Sequence, residues 1–189
     1  MKRSTRKKIA FAGGILMAGS LIATSIFIIR RAFWTIPKGV VPVRPFNVQK
    51  FMGKWYEIAR TENRLEKNLK NITLEFSMEN DSTINVLHQG YNVLKQKQQK
   101  EKGVATLVEK KNVGKFRISY WRPIYSGYNV IEIDPEYRYA LVGGEDLEQL
   151  WLFSRYPDML DEVAEQYLAI AQSYGYKTSN LIWVEQDDY

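Results

Sequence analysis

What most constrains this chain is a run of short alternating segments, none of which can bury both of its faces alone. Apolar and polar residues trade places over residues 72–78, 83–90, 102–109, 115–121, 128–133, 137–142 and 149–154. Turn-forming residues separate them at 80–82, 112–114, 123–127, 134–135 and 143–144. Period two marks a half-buried strand, and Gly, Pro, Asn and Asp supply the reversals between strands. An earlier strand begins at Trp55, two residues after Gly53, and brings the expected total to eight. Eight strands in an antiparallel meander must stack on a second sheet or close on themselves to lose their edges.

The stretch around that first strand, residues 46–60, reads FNVQKFMGKWYEIAR. Period two places Trp55, Glu57 and Ala59 on one face and Tyr56, Ile58 and Arg60 on the other. A large indole at the start of a strand suits a plug at the bottom of a small barrel. Its N–H and ring face need partners, and Arg155, at the end of the last alternating segment, is a cation that can cover it. Residues 61–71 form a polar loop long enough to act as a binding lid.

One helix follows the strands. Pro157 and Asp158 open it, with Asp158 or Asp161 as the expected N-cap. Leu160, Val163, Tyr167, Ile170, Ala171 and Tyr174 make a stripe at helical spacing, and Gly175 ends it. A one-sided helix of this kind packs outside the sheet. Residues 181–184 read as a short final strand.

The N-terminus differs from the rest. Nine of the 27 lysines and arginines, and none of the 21 acids, precede residue 45, so the remainder is slightly acidic and no basic surface for nucleic acid is expected. Residues 9–29 carry no charge, long enough for the hydrocarbon core of a bilayer. They read as an uncleaved signal anchor in preference to a removed signal peptide, since apolar residues continue past the small residues Ala23 and Ser25. Five bases precede the span. The positive-inside bias therefore puts residues 1–8 in the cytoplasm and the domain outside it, periplasmic in a Gram-negative cell and at the inner membrane in preference to the outer. Residues 30–45, with Pro37, Gly39, Pro42 and Pro45, read as an extended tether to a domain spanning 46–189.

Catalytic and cofactor motifs are missing from the sequence. There is no cysteine, and His88 is the single histidine, which reads as a satisfied strand residue. No phosphate-binding loop, dinucleotide fingerprint, nucleophile elbow or metal-spaced cluster occurs, so no cofactor, no metal and no enzymatic activity are expected. Residues 95–102 are basic and Gln-rich, a solvated strand end.

Three stretches carry a family resemblance. They are Gly53 through Arg60; Gly127 through Asp134, continuing to Tyr137, Ala140, Leu141 and Val142; and Leu150 through Pro157, directly ahead of the helix. In these motifs the chain resembles the lipocalin family, and within it the bacterial branch related to apolipoprotein D. The resemblance implies an all-β, eight-stranded antiparallel up-and-down barrel with one C-terminal helix packed outside; the uncharged run at 9–29 adds a single transmembrane helix ahead of it. It implies that Trp55 plugs the closed end under Arg155, and that Gly53, Asp134 and Tyr137 shape that end. Many bacterial relatives are anchored through an acylated cysteine, which the apolar span replaces here.

Parity then names the lining. If Trp55 points inward, so do Glu57 and Ala59. If Arg155 covers it, Phe153 and Trp151 are inward too. Tyr128, Val130 and Glu132 share one face of their strand, and Phe116, Ile118 and Tyr120 share one of theirs; a β-bulge inverts any such assignment. Glu57, Ala59, Ile118, Tyr120, Tyr128, Val130, Trp151 and Phe153 are thus the candidate ligand-binding residues. An aromatic and aliphatic hollow with a few polar groups suits a fatty acid or lysophospholipid taken from the envelope. The alternatives are an enzyme on an envelope lipid, with Glu57 or Glu132 as base, and an anchored interaction module with a filled barrel.

Overall fold

A computed structural model describes residues 35–109 and 111–187. Among them no helix is long and apolar enough to cross a membrane. The expected span at 9–29, the basic segment 1–8 and the first residues of the tether lie outside the described residues.

After a one-turn helix α1 (Val48–Phe51), the strands run β1 (Gly53–Arg60), β2 (Leu69–Met78), β3 (Thr83–Asn92), β4 (Lys97–Leu107), β5 (Lys115–Trp121), β6 (Ile124–Ile133), β7 (Tyr139–Gly143) and β8 (Leu150–Ser154). Helix α2 (Asp161–Ser173) and a short β9 (Ile182–Trp183) complete the order. Each strand pairs antiparallel with the next, and β1 closes the ring by pairing with both β2 and β8. The expected eight-stranded barrel with an external helix is therefore present. Closure leaves β1 in the middle of the sheet: its lower half pairs with β2, and its upper end, at Ala59 and Arg60, takes β9 as a further neighbour.

Period two sorts the apolar residues into two cores. Leu74 and Phe76, Ile84 and Val86, Phe116 and Ile118, Tyr128 and Val130, Ala140 and Val142 point into the barrel with Trp55 and Phe153. Leu141, Leu150 and Leu152 face the other way and bury Ala164, Tyr167 and Ala171 of α2. Burial on both faces explains why β7 and β8 are nearly continuous hydrophobic runs.

The closed end is built around Trp55. Its Nε1 donates to the Phe51 carbonyl at 2.8 Å, and the Arg155 guanidinium lies 3.8 Å from the ring centroid. Such a cation over indole contributes about 0.5–2 kcal/mol. Arg155 also donates to the carbonyls of Lys50, Met52, Lys54 and Tyr137. Burial lowers its pKa to about 10, which leaves it charged at neutral pH. Gly53 has φ +92°, and a Cβ there would meet Arg155 Nη1 at 3.4 Å, so glycine satisfies both the turn and the close approach. Nearby, Asp134 Oδ1 accepts from Tyr139 N at 2.7 Å, and Tyr137 Oη accepts from Asn47 N at 2.7 Å.

Two local expectations are corrected. Residues 35–45 are not a free tether. The Thr35 carbonyl accepts from Asn129 Nδ2 at 2.6 Å, and Val43 N donates to the Val130 carbonyl at 2.9 Å, which lays this segment along the barrel. A Cβ on Gly127 would fall 1.8 Å from the Thr35 carbonyl oxygen, so the strand needs glycine where the segment crosses it. The helix N-cap is neither Asp158 nor Asp161. It is Leu160, which makes no side-chain cap bond, while Asp161 and Glu162 favour the first turn through the helix dipole.

Candidate functional site

Strand β1 rises from the closed end, so the β1–β2, β3–β4, β5–β6 and β7–β8 connections gather at the opposite end of the barrel. Below them the interior is aromatic and aliphatic. Towards them it becomes charged, which parity did not foresee. The reason is a register shift between Glu57 and Ala59 in the β1–β8 ladder. A bulge inserts one residue and inverts the faces beyond it. Glu57 still points inward, but Ala59 is turned out into the core beneath α2, and Arg60 is turned in. Ala59 is therefore withdrawn from the lining. A second shift, between Val130 and Glu132 on β6, does the same to Glu132, which lies near Tyr167 of the helix.

Four charged or titratable side chains meet inside: Glu57, Arg60, Glu66 and His88, exposed by 0, 2, 4 and 2%. Arg60 Nε lies 3.0 Å from Glu57 Oε1 and 3.4 Å from Glu66 Oε2, and His88 Nε2 lies 3.1 Å from Glu66 Oε1. Trp151 Nε1 donates to Glu66 Oε2 at 3.4 Å, and Asn63 Nδ2 donates to the same oxygen. Arg60 Nη2 donates to the Glu66 backbone carbonyl at 2.7 Å. Glu66 comes from the 61–68 loop, the expected lid, and is drawn down among residues of β1, β3 and β8.

The donor atoms of Glu57, Glu66 and His88 lie within 4.8 Å of one another, a spacing at which a metal could be held. Arg60 already provides a cation between the two carboxylates, so the chemistry is that of an ion-pair network. The two carboxylates differ. Burial, then the Glu66 charge, pushes Glu57 well above the usual carboxylate range, with Arg60 offsetting only part. Burial pushes Glu66 up as well, but His88, Asn63 and Arg60 outweigh it and leave it below the usual range. Of the two carboxyls, Glu57 keeps its proton to the higher pH and Glu66 is the stronger acid. Burial first, and then neighbouring charges, raise Tyr120 and Tyr128, so both stay phenols.

This asymmetry predicts a pH-dependent effect of Glu57→Gln. The folded state holds a proton on Glu57 that the unfolded chain releases near the ordinary value of 4.5. Wild-type stability therefore carries a penalty that grows as pH rises above that value, until the folded carboxyl itself ionises. Glutamine cannot ionise, so the variant should match wild type near pH 4 and become the more stable of the two as pH rises to neutrality. Urea denaturation across that range checks this; a variant that loses ground with rising pH contradicts it.

Of the other expected lining residues, Ile118, Tyr128, Val130 and Phe153 are buried in the inner core, and Tyr120 and Trp151 pack against it half-buried. The Tyr128 and Trp151 rings lie 5.8 Å apart. No local pattern singles out Glu66. Arg60 and His88 were visible, but one stood on the wrong face and the other looked like a satisfied strand residue. The one available signal was the pairing of an acid and a base three apart, Glu57 and Arg60, in the first strand.

A lipocalin-like domain model matches residues 46–186. An outer membrane lipoprotein Blc of Citrobacter freundii is 39% identical over 172 residues, covering 91% of this chain and 97% of that protein. Its counterpart in Escherichia coli (strain K12) is 40% identical over 152 residues, 80% of this chain and 86% of that one. Among solved structures, insecticyanin of the tobacco hornworm Manduca sexta superposes with a TM-score of 0.65 at 17% identity, covering 81% of this chain and 87% of that one, a likeness of fold alone. With the barrel closed under Trp55 and Arg155, the helix outside it and these relatives along most of its length, the chain belongs to the lipocalin family, in its bacterial branch.

Proposed function

We propose that this protein binds a small lipophilic ligand, a fatty acid or lysophospholipid, in its barrel at the cell envelope. The observation that carries this is the graded interior: apolar around Ile118, Val130 and Phe153, polar at the end where the loops gather. An amphiphile with one chain and one head group matches such a gradient, and each buried methylene contributes about 0.8 kcal/mol. The exposed side chains at the loop end fit a membrane source. Trp121 and Ile124 flank the β5–β6 turn at 62% and 68% exposure, and Val93 and Leu94 stand exposed on the β3–β4 turn. Aromatic and aliphatic groups of this kind partition into the bilayer interface.

Relatives named outer membrane lipoproteins support an envelope location. This chain has no cysteine to acylate. The uncharged run at 9–29 serves instead as the anchor in this reading, spanning the membrane once and leaving the barrel extracytoplasmic. An enzyme is disfavoured, because Glu57 is fully buried against Arg60 and Glu132 lies on the helix side. The sealed charged cluster favours one competitor, a barrel filled by its own side chains.

Titration separates the two. Delipidated protein, mixed with a fluorescent fatty acid, should show saturable binding at micromolar ligand with quenching of Trp151, which lines the interior. No saturable binding in that range leaves the filled barrel as the correct reading.

A further inference from the structure

Glu66 is out of place. A loop side chain has been carried into the barrel and given the donors that a bound anion requires. His88 Nε2 and Arg60 Nε lie 3.1 and 3.4 Å from its carboxylate, and Trp151 Nε1 donates to it at 3.4 Å. Those three come from β3, β1 and β8, fixed in a closed sheet. Glu66 comes from irregular backbone with exposed Arg64 and Lys67 on either side. Next to it, Arg60 Nη1 and Tyr128 Oη are buried donors without a hydrogen-bond partner. The wall thus offers more donors to an anion than Glu66 alone uses.

We propose that Glu66 is a built-in occupant of a head-group subsite: a lipid carboxylate displaces it from Arg60, His88 and Trp151, and the β1–β2 loop leaves with it. The inference rests on the lipid-binding reading above and adds the ligand's charge and the moving part. A carboxylate replaces a carboxylate, so the buried charge is conserved, and the incoming group also reaches Arg60 Nη1. An alcohol of equal chain length brings no charge to compensate Arg60 and leaves Glu66 in place. Departure of the loop uncovers Trp151, to which Glu66 is bonded. Glu66 therefore acts by competition: it keeps the subsite arranged as an anion site and lowers the affinity of an incoming anion, while a neutral head does not contest it.

The test uses the full chain with dodecanoic acid and dodecan-1-ol, each below its micelle concentration. Limited trypsin digestion is followed by mass spectrometry at the bonds after Arg64 and Lys67. The acid should speed cleavage there several-fold, and the alcohol should not. In Glu66→Gln the ligand anion no longer competes with a resident one. The ratio of acid affinity to alcohol affinity should then rise on the order of tenfold, as for one charge-assisted hydrogen bond. Binding of the acid without faster cleavage at these bonds overturns the proposal, as does an unchanged or lower ratio in the variant. If Glu66→Gln does not fold, wild-type digestion decides alone. If neither ligand binds, the lipid-binding reading falls and takes this inference with it; if both bind and both leave the loop closed, only this inference falls.

Discussion

Arg60→Met is expected to cost about 3–5 kcal/mol of folding stability, the range for removing one partner from a buried ion pair. Methionine keeps the apolar stem of arginine and much of its volume, so the loss is mainly electrostatic. Two deficits arise together. The ionised Glu66 carboxylate loses its guanidinium, and its backbone carbonyl loses the bond from Nη2 at 2.7 Å. The effect should depend on pH with a definite sign. Glu66 titrates below its ordinary 4.5 in the folded protein, so its contribution is present above that value and is lost as pH falls through the folded pKa. The gap between wild type and Arg60→Met should accordingly narrow in acid. Adding Glu66→Gln to Arg60→Met should recover part of the loss, because the carboxylate that lost its guanidinium is then neutral. Urea denaturation of the four proteins of this cycle measures the coupling; additive losses would show that the two residues do not act as a pair.

Trp55→Ala should be comparably severe, about 3–5 kcal/mol, the usual range for truncating a buried aromatic. For a chain of this size that is a fall in Tm of roughly 6–20 °C. The indole is fully buried, its ring 5.2 Å from Phe51, and its N–H is satisfied by the Phe51 carbonyl. Removing it opens a cavity and leaves the Arg155 guanidinium above empty space. Arg155 would still hold four backbone carbonyls, those of Lys50 in α1, Met52 at its end, Lys54 in β1 and Tyr137 in the β6–β7 turn. Trp55→Phe should therefore lose much less, since it refills most of the volume and forfeits only the N–H bond. Thermal unfolding by circular dichroism separates the two. A Trp55→Ala protein within about 1 kcal/mol of wild type would mean that the floor of the barrel does not depend on its indole.

These two residues also mark how far the sequence could be read. Trp55 and Arg155 were legible as partners because both sit at strand ends beside a glycine or a turn, where parity has not had room to drift. The alternating segments, the external helix and the inward set of Phe116, Ile118, Tyr128, Val130 and Phe153 were legible for the same reason. Local pattern is enough wherever a strand stays regular. Arg60 was misplaced because a bulge leaves almost no trace in composition: one extra residue sends Ala59 under the helix and brings a guanidinium inside. Residues 35–45 look like a tether, since proline and glycine describe an extended chain equally well whether it is solvated or pressed along a barrel.

From its own residues the sequence determined the strand count, the need of eight half-buried strands to lose their edges, the plugged floor and the lack of cysteine. Tertiary structure alone decided the character of the interior. Whether a loop glutamate meets an arginine, a histidine and a tryptophan from three separate strands depends on bulges, on closure of the ring and on which loop folds inward. Each is set by contacts between residues far apart in the chain. A buried charge survives only where such contacts supply its partners, so an electrostatic site of this kind is specified by the fold, not by any local motif.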